Sequence, residues 1–264
     1  MTRNRNVDLA PLLKTLKLSA MLDTLPERIA LARRDQLDYA AFLEIILADE
    51  VSRRENRRIE LRLNRAGFEE TCRLEDFEWT SEITLDRRLL DAAFSLDFIA
   101  RREHVLLMGP AGVGKSFLAQ ALGYAAVRAG YSVRFIHADD FFKAMNQSRV
   151  DNSVDKVLRS FLSPDLLILD DLGLHRLNAQ QSSDLYQLIV GKHRASSFVV
   201  TSNRAIEEWL GLFNDPILGN SALDRLANTS YQIVIEGTSY RERLSPHRAL
   251  LGKVAKILSK KGGD

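Results

Sequence analysis

The chain contains 264 residues, of which 45% are hydrophobic and 27% are charged. A chain of this length and composition can bury a core without disulfide or metal staples, which excludes a disordered or collagen-like protein. Its single cysteine, Cys72, excludes a disulfide framework and a cysteine-based zinc cluster. The sequence has no apolar run of about 18 residues, so it predicts no membrane span and, with the lone cysteine, a cytoplasmic protein.

The charged residues are nearly balanced, with 37 Lys and Arg against 35 Asp and Glu and a formal net charge of +2. A balanced total does not identify a nucleic-acid partner, because positive charge can still gather on one face. Residues 1–100 hold 16 basic and 19 acidic side chains, whereas residues 101–264 hold 21 and 16. We therefore expect an anion-attracting surface mainly in the second part of the chain.

The first 67 residues carry apolar side chains at helical spacing. The stripes comprise Leu9, Leu12, Leu13 and Leu16, then Met21, Leu22, Leu25 and Ile29, and finally Phe42, Leu43, Ile46, Leu47, Ile59 and Leu63. No β-branched alternation interrupts them, and Gly67 is typical of a helix end. This pattern predicts a small helical domain over residues 1–67, which we expect to contact DNA or a protein partner.

Residues 68–83 are predicted to form an acidic connector. They include six Asp or Glu residues together with the aromatic residues Phe68, Phe77 and Trp79. Because this composition is too apolar for a flexible linker, we expect the connector to pack against the domain that follows.

Residues 84–264 alternate between short apolar runs and helical patterns. The predicted strands are Val105–Met108, Ser132–Ile136, Leu166–Leu169, Phe198–Thr201 and Ile233–Ile235. The predicted helices are Lys115–Arg128, Asp139–Gln147, Ala179–His193 and Ala222–Asn228. This alternation is typical of a mostly parallel sheet with helices on both faces. The predicted fold class is therefore α/β, preceded by a small all-helical domain.

Residues 109–116 read GPAGVGKS and fit the phosphate-binding pattern G-x-x-x-x-G-K-[ST] between a predicted strand and a predicted helix. In such a loop the backbone N–H groups surround the phosphates, Lys115 reaches the β- and γ-oxygens, and Ser116 offers its hydroxyl to Mg²⁺. The alternative is a glycine turn that only joins the strand to the helix. The predicted ATP-binding residues are Gly109, Pro110, Ala111, Gly112, Val113, Gly114, Lys115, Ser116 and Phe117.

Polar groups also follow the third and fourth predicted strands. Residues 166–171 read LLILDD, and ligands of open α/β sheets bind at such carboxyl ends of strands. We predict that Asp170 binds Mg²⁺ with Ser116, and that Asp171 acts in catalysis by orienting or deprotonating the attacking water. The amide of Asn203 could hold the same water. The alternatives are a turn with a helix cap at the two acids and a strand-end turn at Asn203.

In their order along the chain, these motifs resemble those of the IstB-type transposition helper ATPases, close relatives of the DnaC helicase loaders within the AAA+ ATPases. The resemblance covers nearly the whole chain. It is carried by residues 53–65, 109–116, 166–171, 201–203, 223–226 and 239–241. It implies a P-loop AAA+ ATPase domain that hydrolyses ATP with Mg²⁺, forms a ring or spiral homo-oligomer, binds double-stranded DNA and recruits or activates a transposase.

The resemblance also implies roles for individual residues in catalysis. Asn203 matches the sensor-1 position, and Arg241 matches the sensor-2 position. Arg225 matches the arginine finger, which reaches the γ-phosphate of a neighbouring subunit and stabilises charge in the transition state. The alternatives are an ion pair of Arg225 with Asp224 or Glu236, and a solvated Arg241.

Asp171 departs from the pattern of many AAA+ proteins, which carry Glu at this position. Its side chain is shorter by one methylene group, so the attacking water must lie deeper or be relayed. IstB-like sequences often carry Asp here. The resemblance therefore implies that ATP hydrolysis occurs, that it is slow, and that DNA or a partner stimulates it.

Basic residues between the second and third predicted strands are candidates for contact with DNA. In the DnaC/IstB group this part of the fold faces the nucleic acid. The candidates are Lys143, Arg149, Lys156 and Arg159, with Arg176 after the two acids as a weaker one. Phosphate contacts need only exposed Lys or Arg, and they bring strong salt dependence. A solvated amphipathic helix is the alternative.

A second basic cluster lies in the predicted helical domain. It comprises Arg53, Arg54, Arg57, Arg58, Arg62 and Arg65, with only Glu55 and Glu60 interleaved. It could bind DNA, bind an acidic partner, or form one face of an exposed helix with i,i+4 ion pairs.

Other functions fit part of the pattern. A DnaC-like replicative helicase loader would share the nucleotide site, so the amino-terminal domain would distinguish it. A P-loop kinase or a nucleotide-gated scaffold would not need Asn203, Arg225 and Arg241 in this order. The five histidines show no metal-ligand spacing, so Mg²⁺ is the only metal that the sequence predicts.

Overall fold

The computed structural model describes residues 8–80 and 82–240. Arg241, the predicted sensor-2 residue, lies outside these ranges. The chain divides into two compact units, Met1–Leu61 and Arg62–Asp264. Within the described ranges, no helix is both long and apolar enough to cross a membrane.

The first unit is helical, as the sequence predicts. Its helices are α1 (Leu9–Thr15), α2 (Met21–Arg34) and the first part of α3 (Tyr39–Ala66). Arg28 on α2 donates two hydrogen bonds to the carboxylate of Asp49 on α3, at 2.6 and 3.1 Å. Asp8 caps α1 by accepting a hydrogen bond from the backbone N–H of Ala10. The all-helical amino-terminal part of the fold is confirmed.

The long helix α3 ends where the sequence predicts a stop. Gly67 follows its last residue with a φ of 74°, a left-handed conformation that glycine adopts without steric cost. The division between the two units lies earlier, at Leu61 inside α3, whereas the sequence placed the end of the helical domain at residue 67. A continuous helix has no break in composition at such a point.

The second unit alternates strands and helices. Its strands are β1 (His104–Met108), β2 (Val133–His137), β3 (Leu166–Leu172), β4 (Ser197–Ser202) and β5 (Ser230–Val234). Its helices are α4 (Arg87–Phe94), α5 (Asp97–Arg101), α6 (Lys115–Arg128), α7 (Ala138–Val150), α8 (Val154–Leu162), α9 (Ala179–Lys192) and α10 (Pro216–Ala227). Its described residues also include two short 3₁₀ segments, Leu74–Asp76 and Ile206–Leu212.

The five strands form one parallel sheet in the order β2-β3-β4-β1-β5. Every residue of β1 and β4 is buried. Strands covered on both faces carry continuous apolar runs, which is why these segments could be recognised from the sequence. The predicted α/β class, with a parallel sheet flanked by helices, is confirmed.

Several elements differ from the prediction. The sequence pattern does not predict the helices α4, α5 and α8, and it predicts that α10 begins at Ala222 rather than at Pro216. Pro216 opens α10 after Asp215, whose side chain accepts a hydrogen bond from the N–H of Ile217. Asn152 separates α7 from α8 with a φ of 52°, a left-handed turn that Asn tolerates.

The acidic connector packs on α6. Phe77 is 8% exposed, and the centroid of its ring lies 5.7 Å from that of Phe117. The side-chain oxygen of Gln120 accepts hydrogen bonds from the backbone N–H groups of Glu69 and Glu70, at 3.0 and 3.3 Å. The connector therefore contributes to the surroundings of the loop that precedes α6.

Candidate nucleotide site

The loop from Gly109 to Gly114 joins β1 to α6 in a conformation that requires glycine at its ends. Gly109 and Gly114 have φ angles of 146° and 96°. A Cβ atom at Gly109 would lie 2.0 Å from the carbonyl oxygen of Ile235, and one at Gly114 would lie 2.6 Å from the ring of Phe77. Since α6 begins directly after the loop, its N-terminal N–H groups and positive dipole end are available to phosphates.

Lys115 connects this loop to the end of β4. It is 4% exposed, and its Nζ donates hydrogen bonds to the carbonyl oxygen of Pro110 at 2.7 Å and to Oδ1 of Asn203 at 2.6 Å. The structure therefore brings together two predicted site residues that lie 88 positions apart in the chain.

Asp170 lies at the same edge of the sheet, on β3, and is 1% exposed. Its Oδ1 accepts a hydrogen bond from Oγ1 of Thr201 at 2.6 Å. Burial raises the pKa of Asp170, and the negative charge of Asp171 adds to this rise, although hydrogen bonds from Thr201 and Ser116 oppose it. A nearby cation would stabilise the negative charge of such a buried carboxylate.

The second oxygen of Asp170 faces His137, the last residue of β2. Nδ1 of His137 lies 3.4 Å from Oδ2, and its Nε2 lies 2.8 Å from Oε1 of Glu69. Burial alone would lower the pKa of His137, but the hydrogen bond with Glu69 and the charge of Asp170 outweigh it, so the pKa is raised. Sequence reasoning missed His137, because its contact depends on the register that pairs it with Asp170.

The donor set fits Mg²⁺. Within the described residues, the buried Oδ2 of Asp170 has no hydrogen-bond partner. The carboxylate interacts with the hydroxyl of Ser116, and oxygen atoms of this kind are the ligands that Mg²⁺ prefers. Ligand atoms of His137, Asp170 and Asp171 also lie within 4.8 Å of one another. The hydroxyl of Ser116 opposes the rise in the pKa of Asp170, so the two predicted metal ligands lie near each other.

A cavity of about 620 Å³ opens beside the loop. This volume is typical of sites for small ligands. Most of the predicted ATP-binding residues line it, together with Asp171 and Asn203. The sequence did not predict the contribution of Phe77, Glu78 and Tyr240, which also line it. For Phe77 and Glu78 the only signal was the composition of the connector, and Tyr240 lies in the 239–241 segment that carries the resemblance.

Tyr240 joins two walls of this cavity. Its backbone N–H donates a hydrogen bond to the carbonyl oxygen of Gly112 at 2.8 Å, and its hydroxyl donates one to Oε1 of Glu78 at 3.0 Å. The segment that precedes Arg241 therefore lies against the phosphate-binding loop.

Arg225 does not line the cavity. It is half-buried on α10, where its guanidinium donates a hydrogen bond to the carbonyl oxygen of Ser221 at 2.6 Å. Among the described ion pairs, none joins Arg225 to Asp224 or Glu236. The two alternatives that the sequence left open for Arg225 are therefore not seen, and its role remains a prediction.

The candidate DNA-binding residues differ in their surroundings. Lys143, Lys156, Arg159 and Arg176 are exposed. Arg149 instead forms an ion pair with Asp184 of α9, which is 2% exposed. A guanidinium that neutralises a buried carboxylate is held in place by the fold, so Arg149 is the least available of the five for phosphate contact.

The arginine cluster on α3 also contains both residues that are held in ion pairs and residues that are exposed. Arg53 and Arg54 both bind the carboxylate of Glu50, which is 5% exposed. The hydrogen bond from Arg53 is the main reason that the pKa of Glu50 is lowered. Arg57 and Arg58 are exposed, and no ion pair involves them within the described residues.

Comparison with known proteins identifies the family. The profile of the IstB-like ATP-binding proteins matches residues 11–247. A protein of Mycobacterium tuberculosis, described as an ATP-binding protein in an insertion sequence, is 40% identical over 89% of this chain and 94% of its own. An IS21 ATP-binding protein of Pseudomonas aeruginosa is 32% identical over 89% of this chain and 88% of its own.

Solved structures share the fold over about three fifths of the chain. The DnaC helicase loader has a TM-score of 0.53 and 19% identity, over 62% of this chain and 97% of its own. The replication initiator DnaA, bound to AMPPCP and single-stranded DNA, has a TM-score of 0.53 and 22% identity, over 63% of this chain and half of its own. Together with the phosphate-binding loop and the acids of β3, these findings show that the chain belongs to the family of IstB-like ATP-binding proteins and is an ATPase of the AAA+ type.

Proposed function

We propose that this ATPase assembles as a homo-oligomer on double-stranded DNA and recruits or activates a transposase. The observation that carries the proposal is the match over most of the chain to ATP-binding proteins of insertion sequences. A helicase loader is the second candidate, since DnaC shares the fold. The identity between DnaC and this chain is 19%, which carries less weight than the 40% identity of the insertion-sequence relative. The match to that relative covers 89% of this chain and therefore includes amino-terminal helices as well.

In the proposed mechanism, the loop from Gly109 to Gly114 and Lys115 bind the phosphates of ATP. Ser116 and Asp170 would hold Mg²⁺, which supplies charge neutralisation at the β- and γ-phosphates when bound. Asp171 and Asn203, which line the same cavity, orient the water that attacks the γ-phosphate. The contact between Lys115 and Asn203 keeps the phosphate-binding and water-binding groups close to each other.

The partner is tested by capture with the full-length chain. We expect the immobilised protein, bound to duplex DNA, to retain the transposase of its insertion sequence in the presence of ATP and to release it with ADP. A replicative helicase should not be retained. Retention of the helicase instead of the transposase would replace the proposed function with that of a helicase loader.

The proposed DNA-binding surface is the exposed basic side of α7 and α8. We expect the double variant Lys156→Ala/Arg159→Ala to bind duplex DNA more weakly in the presence of ATP. Since each lost phosphate contact lowers the slope of log affinity against log salt by about 0.9, the slope should fall by about two. Fluorescence anisotropy at several salt concentrations measures both quantities.

The charge-matched control is Arg57→Ala/Arg58→Ala on α3. It removes the same number of exposed cationic side chains from the other candidate surface. It should leave the salt slope unchanged, because the proposal places the DNA contacts on α7 and α8. If only the α3 variant loses affinity, the arginine cluster is the DNA-binding surface and α8 is a solvated face.

Arg225 is proposed to complete the nucleotide site of a neighbouring subunit. We expect Arg225→Ala to bind ATP normally but to hydrolyse it at least about 100-fold more slowly, because an arginine finger stabilises charge that develops in the transition state. Mixing it with Lys115→Met should restore hydrolysis. The Lys115→Met subunit donates an intact Arg225 to the intact pocket of its neighbour.

When equal amounts of the two variants mix at random, about a quarter of the subunit interfaces have this productive pairing. We therefore expect the mixture to recover hydrolysis at about a quarter of its sites. Chemical crosslinking of differently tagged subunits confirms that mixed oligomers form. If they form without any recovered hydrolysis, Arg225 does not act across the subunit interface.

A further inference from the structure

We propose that Thr201 is a positioning residue that orients Asp170 and Asp171 together for ATP hydrolysis. This inference rests on the proposed roles of the two acids. It concerns a side chain on β4 that belongs to the 201–203 motif and for which the sequence predicts no separate role.

The strand that carries the two acids is irregular at this point. On the β3 side the register advances from Leu169 to Leu172, while on the β4 side it advances only from Val200 to Ser202. The strand β3 therefore contains one extra residue, which is a β-bulge. Bulges next to functional sites redirect side chains and leave a backbone group without its ladder partner.

Asp171 has the backbone conformation that the bulge requires. Its φ is 56°, in the left-handed region, which Asp adopts more readily than most residues but at a cost in free energy. Its backbone N–H donates to Oγ1 of Thr201 at 2.8 Å instead of to a carbonyl group. The hydroxyl of Thr201 thus satisfies the group that the bulge leaves unpaired.

The same hydroxyl holds the other acid. It donates its proton to Oδ1 of Asp170 at 2.6 Å, and Thr201 is fully buried. A hydroxyl has one proton to donate and lone pairs to accept, so Thr201 uses both capacities on the two acids. Its hydrogen bond to a carboxylate is of the stronger, charge-assisted kind.

Other hydroxyl groups on β4 do not have this arrangement. Ser197 and Ser202 are also fully buried, but they donate to the carbonyl oxygens of Phe98 and Leu172, at 3.2 and 2.7 Å. Their hydrogen bonds join backbone to side chain within the scaffold. Among these three hydroxyls, the one of Thr201 is bound to a predicted metal ligand and to the backbone of the predicted water-orienting residue.

The test compares Thr201→Val, which keeps the shape but removes the hydroxyl, with Thr201→Ser, which keeps the hydroxyl. In Thr201→Val we expect kcat for ATP hydrolysis to fall by about tenfold or more, with KM changed by less than about threefold. Thr201→Ser should recover kcat to within about threefold of the parent. Ser197→Ala is the matched control, because it removes a buried hydroxyl from the other end of β4. It should lower the thermal unfolding temperature without lowering kcat.

Two results would overturn the inference. One is a kcat of Thr201→Val within about twofold of the parent; the other is a Thr201→Ser variant as slow as Thr201→Val, since packing rather than the hydroxyl would then matter. If Thr201→Val does not fold, Thr201→Ala replaces it in the same comparison. Asp170→Asn and Asp171→Asn are measured in parallel. Full activity in both would remove the proposed roles of the acids, whereas activity lost in both but kept in Thr201→Val removes only the role of Thr201.

Discussion

The variant Lys115→Met should lose ATP binding, with an increase of at least about 100-fold in the dissociation constant. The substitution keeps the length of the side chain but removes the ammonium group that is proposed to reach the β- and γ-phosphates. It also removes the hydrogen bonds to Pro110 and Asn203, which connect the loop to β4. Titration with a fluorescent ATP analogue measures the affinity directly.

A second buried lysine provides the matched control for this prediction. Lys192 is fully buried on α9, and its Nζ donates to the carbonyl oxygens of Leu162 and Pro164. Burial lowers the pKa of Lys192 to about 7. Lys192 is not among the residues that line the cavity, so Lys192→Met should keep ATP affinity, while thermal unfolding reports any change in stability. If Lys115→Met binds ATP as tightly as Lys192→Met does, the loop is not the nucleotide site.

The parts of the site that the sequence revealed are those carried by local motifs. The helix α6 was predicted with its observed bounds, because the phosphate-binding pattern marks its first residue. The acids at the end of β3 were recognised for a similar reason, since an apolar run followed by two carboxylates is a continuous signal. Motifs of this kind depend on neighbouring residues only.

The parts that the sequence did not reveal depend on contacts between distant segments. His137 and Thr201 reach Asp170 from the two strands that flank β3, and their positions depend on the register and on the bulge. Phe77 and Tyr240 reach the cavity from the connector and from the segment after β5. Thr201 and Tyr240 lie in segments that carry the family resemblance, but no local pattern indicates what their side chains contact, and His137 and Phe77 belong to no motif.

The substitution Asp171→Asn should separate ATP binding from hydrolysis. Asn also tolerates the left-handed backbone of residue 171, so the bulge should persist and only the negative charge is lost. ATP affinity should stay close to that of the parent, while kcat falls by about 100-fold or more, the usual contribution of a group that orients or deprotonates water.

Asp165→Asn, at the opposite end of β3, is the control, because that carboxylate binds the backbone and hydroxyl of Ser132. Phosphate release and ATP binding are measured on both variants, and complexes of Asp171→Asn with DNA should persist in ATP. Turnover within about threefold of the parent, a change of only about 0.6 kcal/mol in the barrier, would show that Asp171 does not orient the attacking water.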